Sequence, residues 1–562
     1  MMSPSGYRSA CLSLLLAAAV AERLSSAASS SSPSSSAAAV APASVVGATH
    51  WSPCYFVSAL PSLWDGCAAL ARTGTRVAKL ILDGSPDETY PWNTDWEPIM
   101  KNVSTLAQLA ATELYDAALR GRATPAPAWS FDTYLLVTYS LSAGAGDWNY
   151  WCDAFTPSNA ADETAEFAGL TTHLLSAFAG TGKSFYLEHW EGDWSARCGG
   201  YDAQKPADPA VQARMVQWLA ARQAGVEAGR AAWCHRGEGR AAGLDCAAAA
   251  RDPRALHAAA GAAVFHGTEV NLVWDSMQTG FPDNILEVVP KVALDFVSYS
   301  SYDSMFRAPG FGDALDFIAA HHVPTAASPS PAVIVAEYGV AQQEEPVEAL
   351  LAIYRNVAAY TFSESPAAPG VRRAAFSLAW ELFDNEVDSS STFPGGRCNS
   401  KTGPEFNESL LHGFWLIRPD GSLSPSFDFL AGLINGSVPV PPLPAPGSCS
   451  YTSDEDVDGG GGAPDAPFAN STREQCCARC QADMRCTSAV LGADGKCWPK
   501  YGGTPVAKSG ATRCVPPPPP PARDVTGAAG REDLRYPVRP FPSRAFRRRE
   551  RNGRARTASG SA

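Results

Sequence analysis

Beyond Ala28 the 562-residue chain has no apolar run long enough to span a bilayer, so an integral membrane protein is not expected. It also lacks a glycine-rich phosphate loop after its first strand-like run. The segment Gly180-Thr-Gly-Lys-Ser184 is only superficially similar to one: Ala177 stands where the first glycine would be, and a strand follows instead of a helix. It reads as a helix-to-strand turn. No Cys-x-x-Cys pair is matched by a second, and there is no His-Glu-x-x-His, so the spacing does not suggest zinc and no cofactor is expected. Nor is there an excess of positive charge. Lys and Arg number 44 against 57 Asp and Glu, a formal net charge of -13, which argues against a nucleic-acid partner for the folded part.

What the chain does have begins with Arg8 and the apolar stretch from Ala10 to Ala21, followed by small residues. This reads as a secretory signal peptide over residues 1–28, with a Ser/Ala-rich linker over 29–46. A transit peptide is the competing reading of the same Ser and Ala. Secretion is favoured by four glycosylation sequons, at Asn102, Asn407, Asn435 and Asn470, and by 15 cysteines of which all but Cys11 follow the leader. A secreted glycoprotein with structural disulfides is expected; Cys234 with Cys246, and Cys152 with Cys198 in neighbouring rim loops, are candidate pairs.

Between residues 47 and 435, short β-branched or aromatic runs alternate with amphipathic helical stretches. The runs are Val45 to Trp51, Arg76 to Leu82, Phe131 to Tyr139, Ser184 to Trp190, Val270 to Trp274, Asp295 to Ser300, Ala332 to Ala336 and Ala374 to Trp380. The intervening helices are placed at Pro61 to Arg72, Trp96 to Arg120, Thr164 to Phe178 and Pro209 to Trp233, with a closing helix at Pro425 to Leu433. This alternation predicts an α/β fold, a (β/α)8 TIM barrel; a doubly wound sheet would alternate too but would more usually show the missing phosphate loop.

Two of these runs end on glutamate. Strand four reads Phe185-Tyr-Leu-Glu-His-Trp-Glu191 and strand seven Val333-Ile-Val-Ala-Glu337. Strand pitch puts Glu188 about 10 Å deeper than Glu191. Glu188 is therefore expected to ion-pair inside the barrel, with Lys79 as partner, while Glu191 stands at the rim. Acidic residues at strand C-termini converge on the catalytic face of such a barrel, and a pair of carboxylates is the minimum apparatus for glycoside hydrolysis. This arrangement resembles the clan of retaining glycoside hydrolases built on the (β/α)8 barrel. The resemblance implies Glu191 as acid/base and Glu337 as nucleophile, with the charge of Glu337 favouring protonated Glu191. The clan's usual Asn before the strand-four glutamate is replaced by His189-Trp190, so His189 or Asn271 would contact the sugar 2-hydroxyl. Tyr299 or Tyr302 would contact the nucleophile, and Trp380 would floor the reacting sugar. Trp92, Trp96, Trp148, Trp151, Trp190 and Trp194 fall in or beside loops where some of them would stack on pyranose rings.

Past Gly436 the composition changes. A proline-rich linker (436–448) precedes a cysteine-dense segment (449–514) and a Pro/Arg-rich tail (515–562) whose low apolar content predicts disorder. Cys476, Cys477, Cys480, Cys486, Cys497-Trp498 and Cys514 resemble a PAN/apple module. That resemblance implies a protein or carbohydrate ligand and a tie between Cys449 and Cys514. The tail either binds polyanions or is a solvated extension. The sequence thus predicts a secreted retaining β-glycosidase acting on an oligo- or polysaccharide; its rival is a non-catalytic carbohydrate-binding or adhesion protein on the same scaffold.

Overall fold

The computed structural model describes residues 41–122, 128–143, 149–200, 202–236, 244–325, 331–343, 346–386, 411–443, 450–458, 461–462, 472–481, 486, 488–501 and 504–515. The leader, most of the linkers, the arginine-rich tail, Trp148, Cys398, Asn407, Cys449 and Asn470 lie outside them.

Eight strands close a parallel barrel. They are β1 (Val46–Thr49), β2 (Val77–Leu82), β3 (Thr133–Thr138), β4 (Lys183–His189), β5 (Ala262–Val270), β6 (Phe296–Ser300), β7 (Val333–Tyr338) and β8 (Ser377–Ala379). Each pairs in parallel with its neighbour in chain order, and β8 closes onto β1 through Val46↔Ser377. The TIM-barrel expectation is met. Around the ring stand α1 (Ser62–Ala71), α2 (Glu113–Arg120), α3 (Pro157–Ala177), α4 (Pro209–His235), α5 (Pro253–Ala260), α6 (Val273–Thr279), α7 (Gly310–His321), α8 (Val347–Phe362) and α9 (Pro425–Asn435).

Local chemistry explains where the elements begin and where the sequence reading slipped. α3 starts well before Thr164 because Thr156 and Asn159 form a capping box with Pro157 in the first turn. The single helix expected over Trp96 to Arg120 is instead three, Trp96–Met100, Leu106–Ala110 and α2, interrupted at the exposed Asn102 and restarted where the Thr105 side chain accepts from Gln108 N. Strand five was misplaced. It runs from Ala262 to Val270, and Val273–Thr279 is helical. Gly267 lies mid-strand, where a Cβ would fall 2.3 Å from the Phe296 carbonyl oxygen.

The barrel interior is filled in layers. The lower layer is apolar: Val77, Leu135, Tyr186, Ala263, Phe265, Phe296, Ile334, Ala336, Phe376 and Leu378. Tyr186 stacks on Phe265 at 4.6 Å and meets Phe296 and Phe376 edge-on. Because strand side chains alternate faces, the next inward positions on β2 and β4 are Lys79 and Glu188, and on β5 Glu269 follows Gly267 on the same face. Cys152–Cys198 and Cys234–Cys246 form as expected from their positions.

The C-terminal segment is a five-stranded antiparallel sheet in the order β9 (Ser450–Asp458), β13 (Thr504–Val515), β11 (Ser488–Leu491), β12 (Cys497–Tyr501), β10 (Gly461–Gly462). One helix, α10 (Arg473–Gln481), is stapled to it by Cys476–Cys497, and Cys480–Cys486 closes the loop that leaves the helix. Cys514 is a buried free thiol, so the expected Cys449 to Cys514 tie does not form. Cys477 is also disulfide-bonded.

Candidate active site

The upper half of the barrel interior holds one cation among three carboxylates. Lys79 Nζ lies 3.0 Å from Glu188 Oε2, 3.4 Å from Glu269 Oε1 and 2.9 Å from Glu337 Oε1, and all four side chains are buried. The expected Glu188–Lys79 pair is present. Burial disfavours the Lys79 charge, but the three carboxylates overcome it and raise its pKa. Three carboxylates cannot all ionise around one ammonium. Burial pushes Glu188 upward and Glu269 far above the ordinary carboxylate range, with the charges of Glu337 and Glu188 adding to the shift of Glu269.

Glu337 reaches this cluster because β7 is irregular. Across β6, Tyr299 and Ser300 face Val335 and Glu337; across β8, Ser377 and Ala379 face Val335 and Tyr338. One extra residue sits in β7 between Val335 and Glu337, a β-bulge that turns Glu337 inward although Ala336 already faces the lower layer. Oε1 of Glu337 accepts from Lys79 and, at 2.5 Å, from the Trp190 indole N–H; Oε2 accepts from the Ser300 hydroxyl at 3.3 Å. Oε2 is thus the more lightly engaged oxygen, the one with an electron pair to give.

Glu191, two residues past the end of β4, is held differently. Its backbone is left-handed (φ 52°), it caps the short helix Gly192–Ser195, and its amide donates to Glu269 Oε2 at 2.8 Å. Gly192 is required next, since a Cβ there would lie 2.2 Å from the Glu269 carbonyl oxygen. Glu191 is partly exposed at the rim, within electrostatic range of Tyr139, whose hydroxyl donates to the Trp190 carbonyl.

Aromatic rings roof the cluster. Trp51, Trp190 and Trp380 pack with Ile81 and Val137, with Tyr139, Tyr302 and Phe414 against them. Trp51 meets Trp190 at 4.5 Å and Trp380 at 5.5 Å, and the Trp190 and Trp380 planes are parallel at 6.3 Å. The Glu337 side chain is 3% exposed beneath them. Beside it Glu381, following Trp380, is fully buried and pushed far up by burial, then by the charges of Asp384, Glu386 and Glu337.

Of the residues read from sequence, Glu191, Glu337, Trp190, Trp380 and Tyr302 gather at this mouth. Three do not join it. His189 faces outward from β4, buried against Trp218 at 4.7 Å with Nδ1 on the Thr268 hydroxyl. Tyr299 faces the helix layer, its hydroxyl on Asp303 and Ser304 and its ring against Phe311. Asn271 is a rim tie: its Oδ1 accepts from Asp193 N and its own amide donates to Asp193 Oδ2. Trp96 and Trp151 are core residues, Trp92 donates to the Pro53 carbonyl, and Trp194 lies against Arg197. Glu269, Glu381, Trp51 and Tyr139 were missed. For Glu269 the signal existed, a glutamate closing an apolar run, but the misplaced strand five hid it. Among the described residues no cluster of His, Cys, Asp and Glu is arranged to hold a metal ion, and no helix is long and apolar enough to cross a membrane.

No family model matches this sequence. No curated protein matches it. Solved structures similar to it include a GH5_18 protein from Bifidobacterium longum subsp. infantis (13% identity, 72% of this chain and 81% of that one, TM-score 0.39) and a beta-mannanase from Streptomyces thermolilacinus with mannohexaose (14% identity, 69% and 88%, TM-score 0.32). Another is a family 39 glycoside hydrolase from Bacteroides cellulosilyticus (12% identity, 85% and 81%, TM-score 0.33). With every TM-score here below 0.5, functional assignment rests on the geometry of the site.

Proposed function

We propose that the protein is a secreted glycoside hydrolase that cleaves β-linked glycans with retention. The observation that carries this reading is the convergence of Glu337, held by three donors, with the carboxylates of β4 and β5 at the C-terminal mouth of the barrel under a tryptophan roof. In this reading Glu337 Oε2 attacks the anomeric carbon while protonated Glu191 gives its proton to the leaving oxygen. Water, deprotonated by Glu191, then releases the sugar from Glu337. Lys79 and the Trp190 N–H hold Glu337 in place, Trp380 and Tyr302 lie beside the reacting ring, and the Trp190 indole moves aside to admit it. Secretion is supported by the disulfides and by exposed sequon residues Asn102 and Asn435. The C-terminal sheet with its stapled helix is read as a PAN/apple-like carbohydrate- or protein-binding module, and residues 47–435 as the catalytic unit.

The test is hydrolysis by the full chain of a panel of aryl β-glycosides and of algal and plant polysaccharides. Activity should fall at least about 10³-fold in Glu337→Gln, as loss of a nucleophile does. Activity that survives this substitution sinks the assignment of Glu337. One observation favours the rival reading, a non-catalytic glycan-binding barrel: Glu337 is both ion-paired to Lys79 and covered by Trp190. Glycan binding without turnover by the wild type would establish that reading instead.

A further inference from the structure

Glu269 is linked to both halves of the proposed catalytic pair, to Glu191 directly and to Glu337 through Lys79. Its Oε2 accepts the Glu191 amide N–H at 2.8 Å, and its Oε1 lies 3.4 Å from the Lys79 ammonium, which in turn is 2.9 Å from Glu337 Oε1. The Glu269 and Glu337 carboxyl groups thus share one ammonium. The Glu191 backbone is left-handed at that point, and the amide bond to Glu269 is a direct tie on this uncommon conformation.

We propose that Glu269 is a positioning residue that sets the acid/base Glu191 relative to the nucleophile Glu337, one carboxyl oxygen fixing the Glu191 backbone and the other the lysine that holds Glu337. This rests on the glycosidase reading and adds to it a residue on β5. The groups facing Glu269 are Lys79, Glu188, Glu337 and the Glu191 amide. Its contacts to the Glu191 amide and to Lys79 are hydrogen bonds, so its role is bonding and spacing. A shorter or truncated side chain cannot span the two partners. Glutamine keeps an acceptor for the Glu191 amide.

The consequence is specific to proton transfer. An aryl glycoside with a very acidic leaving group needs little help from an acid, whereas a phenyl glycoside needs much. Full-length wild type, Glu269→Ala, Glu269→Asp, Glu269→Gln and the reference Glu191→Gln are compared by kcat/KM on phenyl and 2,4-dinitrophenyl β-glycosides of the preferred sugar. A displaced acid should cost about 10²-fold more on the phenyl than on the dinitrophenyl substrate in Glu269→Ala, the range of general acid catalysis, and about 10-fold more in Glu269→Asp, with Glu269→Gln restoring most of the wild-type ratio. Glu269→Asp is the least disruptive of the weakening variants and carries the test if alanine unfolds the barrel, as thermal melting would show. Equal losses on both substrates in Glu269→Asp, or a Glu269→Gln that behaves like alanine, overturn the positioning role. A wild type that cleaves neither substrate, or a Glu337→Gln as active as wild type, overturns the glycosidase reading itself, which separates the two failures.

Discussion

The two halves of the barrel interior are built on the same strands and filled in opposite ways. Moving two residues along β2 exchanges Val77 for Lys79; along β4, Tyr186 for Glu188. Below, ten side chains from alternating strand positions pack without a titratable group except the Tyr186 phenol. Above, an ammonium and three carboxylates are enclosed beneath tryptophans. Burial of apolar area suffices to hold the lower layer. The upper layer carries a desolvation cost of several kcal/mol per ion that its own pairing must offset, and such groups are tolerated where they do chemistry. The half nearer the C-terminal strand ends is the expensive one, which is where a barrel of this kind keeps its active site.

The largest expected effect comes from removing the single cation. Lys79→Met leaves three buried carboxylates around an apolar side chain and should destabilise the fold by about 3–5 kcal/mol at neutral pH, the cost of breaking a buried pair from one side. The loss should shrink toward pH 5. The folded-state pKa values of Glu188 and Glu269 are already above their unfolded values, so the fold binds these protons more tightly than the unfolded chain. Stability from that source is present below about pH 4.5 and is lost as pH rises through the raised values. Asp384, pushed up to about 7 chiefly by burial, acts in the same direction at the rim. Wild-type melting temperature should therefore fall between pH 5 and pH 8, more steeply in Lys79→Met. A melting curve for the variant that is independent of pH would show the cluster to be hydrated and the contrast between layers to be false.

The next effect, in the lower layer, should lack that dependence. Phe265→Ala removes a ring stacked on Tyr186 and leaves a cavity, at a cost of roughly 3 kcal/mol. Urea unfolding at pH 5 and pH 8 should give the same difference from wild type at both. A pH-dependent difference would mean that the two layers are coupled through Tyr186 and Glu188.

How much of this was readable beforehand follows the same division. Periodicity suffices for a layer made of alternating apolar residues, and seven of the eight strands stand where the apolar runs place them. The Lys79–Glu188 pair was readable too, because strand pitch alone sets depth. Where one residue breaks the alternation, the sequence is silent. The bulge before Glu337 is defined by partners on β6 and β8 and not by local composition. The Phe296 backbone lies close against Gly267, which no local pattern shows, and with strand five misplaced Glu269 was lost. His189 and Tyr299 failed for a plainer reason: each sits on the outward parity of its strand, next to an inward neighbour, Trp190 and Ser300, that does reach the mouth.

The smallest effect tests whether the tryptophan roof belongs to the upper layer by chemistry or only by packing. Trp190→Phe keeps an aromatic ring near Trp51 and Trp380 and removes the indole N–H from Glu337 Oε1. A hydrogen bond to a charged group contributes about 1.5–3 kcal/mol, so the fold should lose that much stability, more than the roughly 0.5–1.5 kcal/mol typical of a lost methyl group, for which Ile81→Val in the same layer is the comparison. If the two substitutions cost the same, the roof is held as the lower layer is held, by contact area alone. Trp190 would then be a lid over Glu337 without being one of its supports. If Trp190→Phe costs clearly more, the indole that moves aside in the proposed reaction is also one that holds Glu337, and in that reaction opening the site and releasing Glu337 become a single motion.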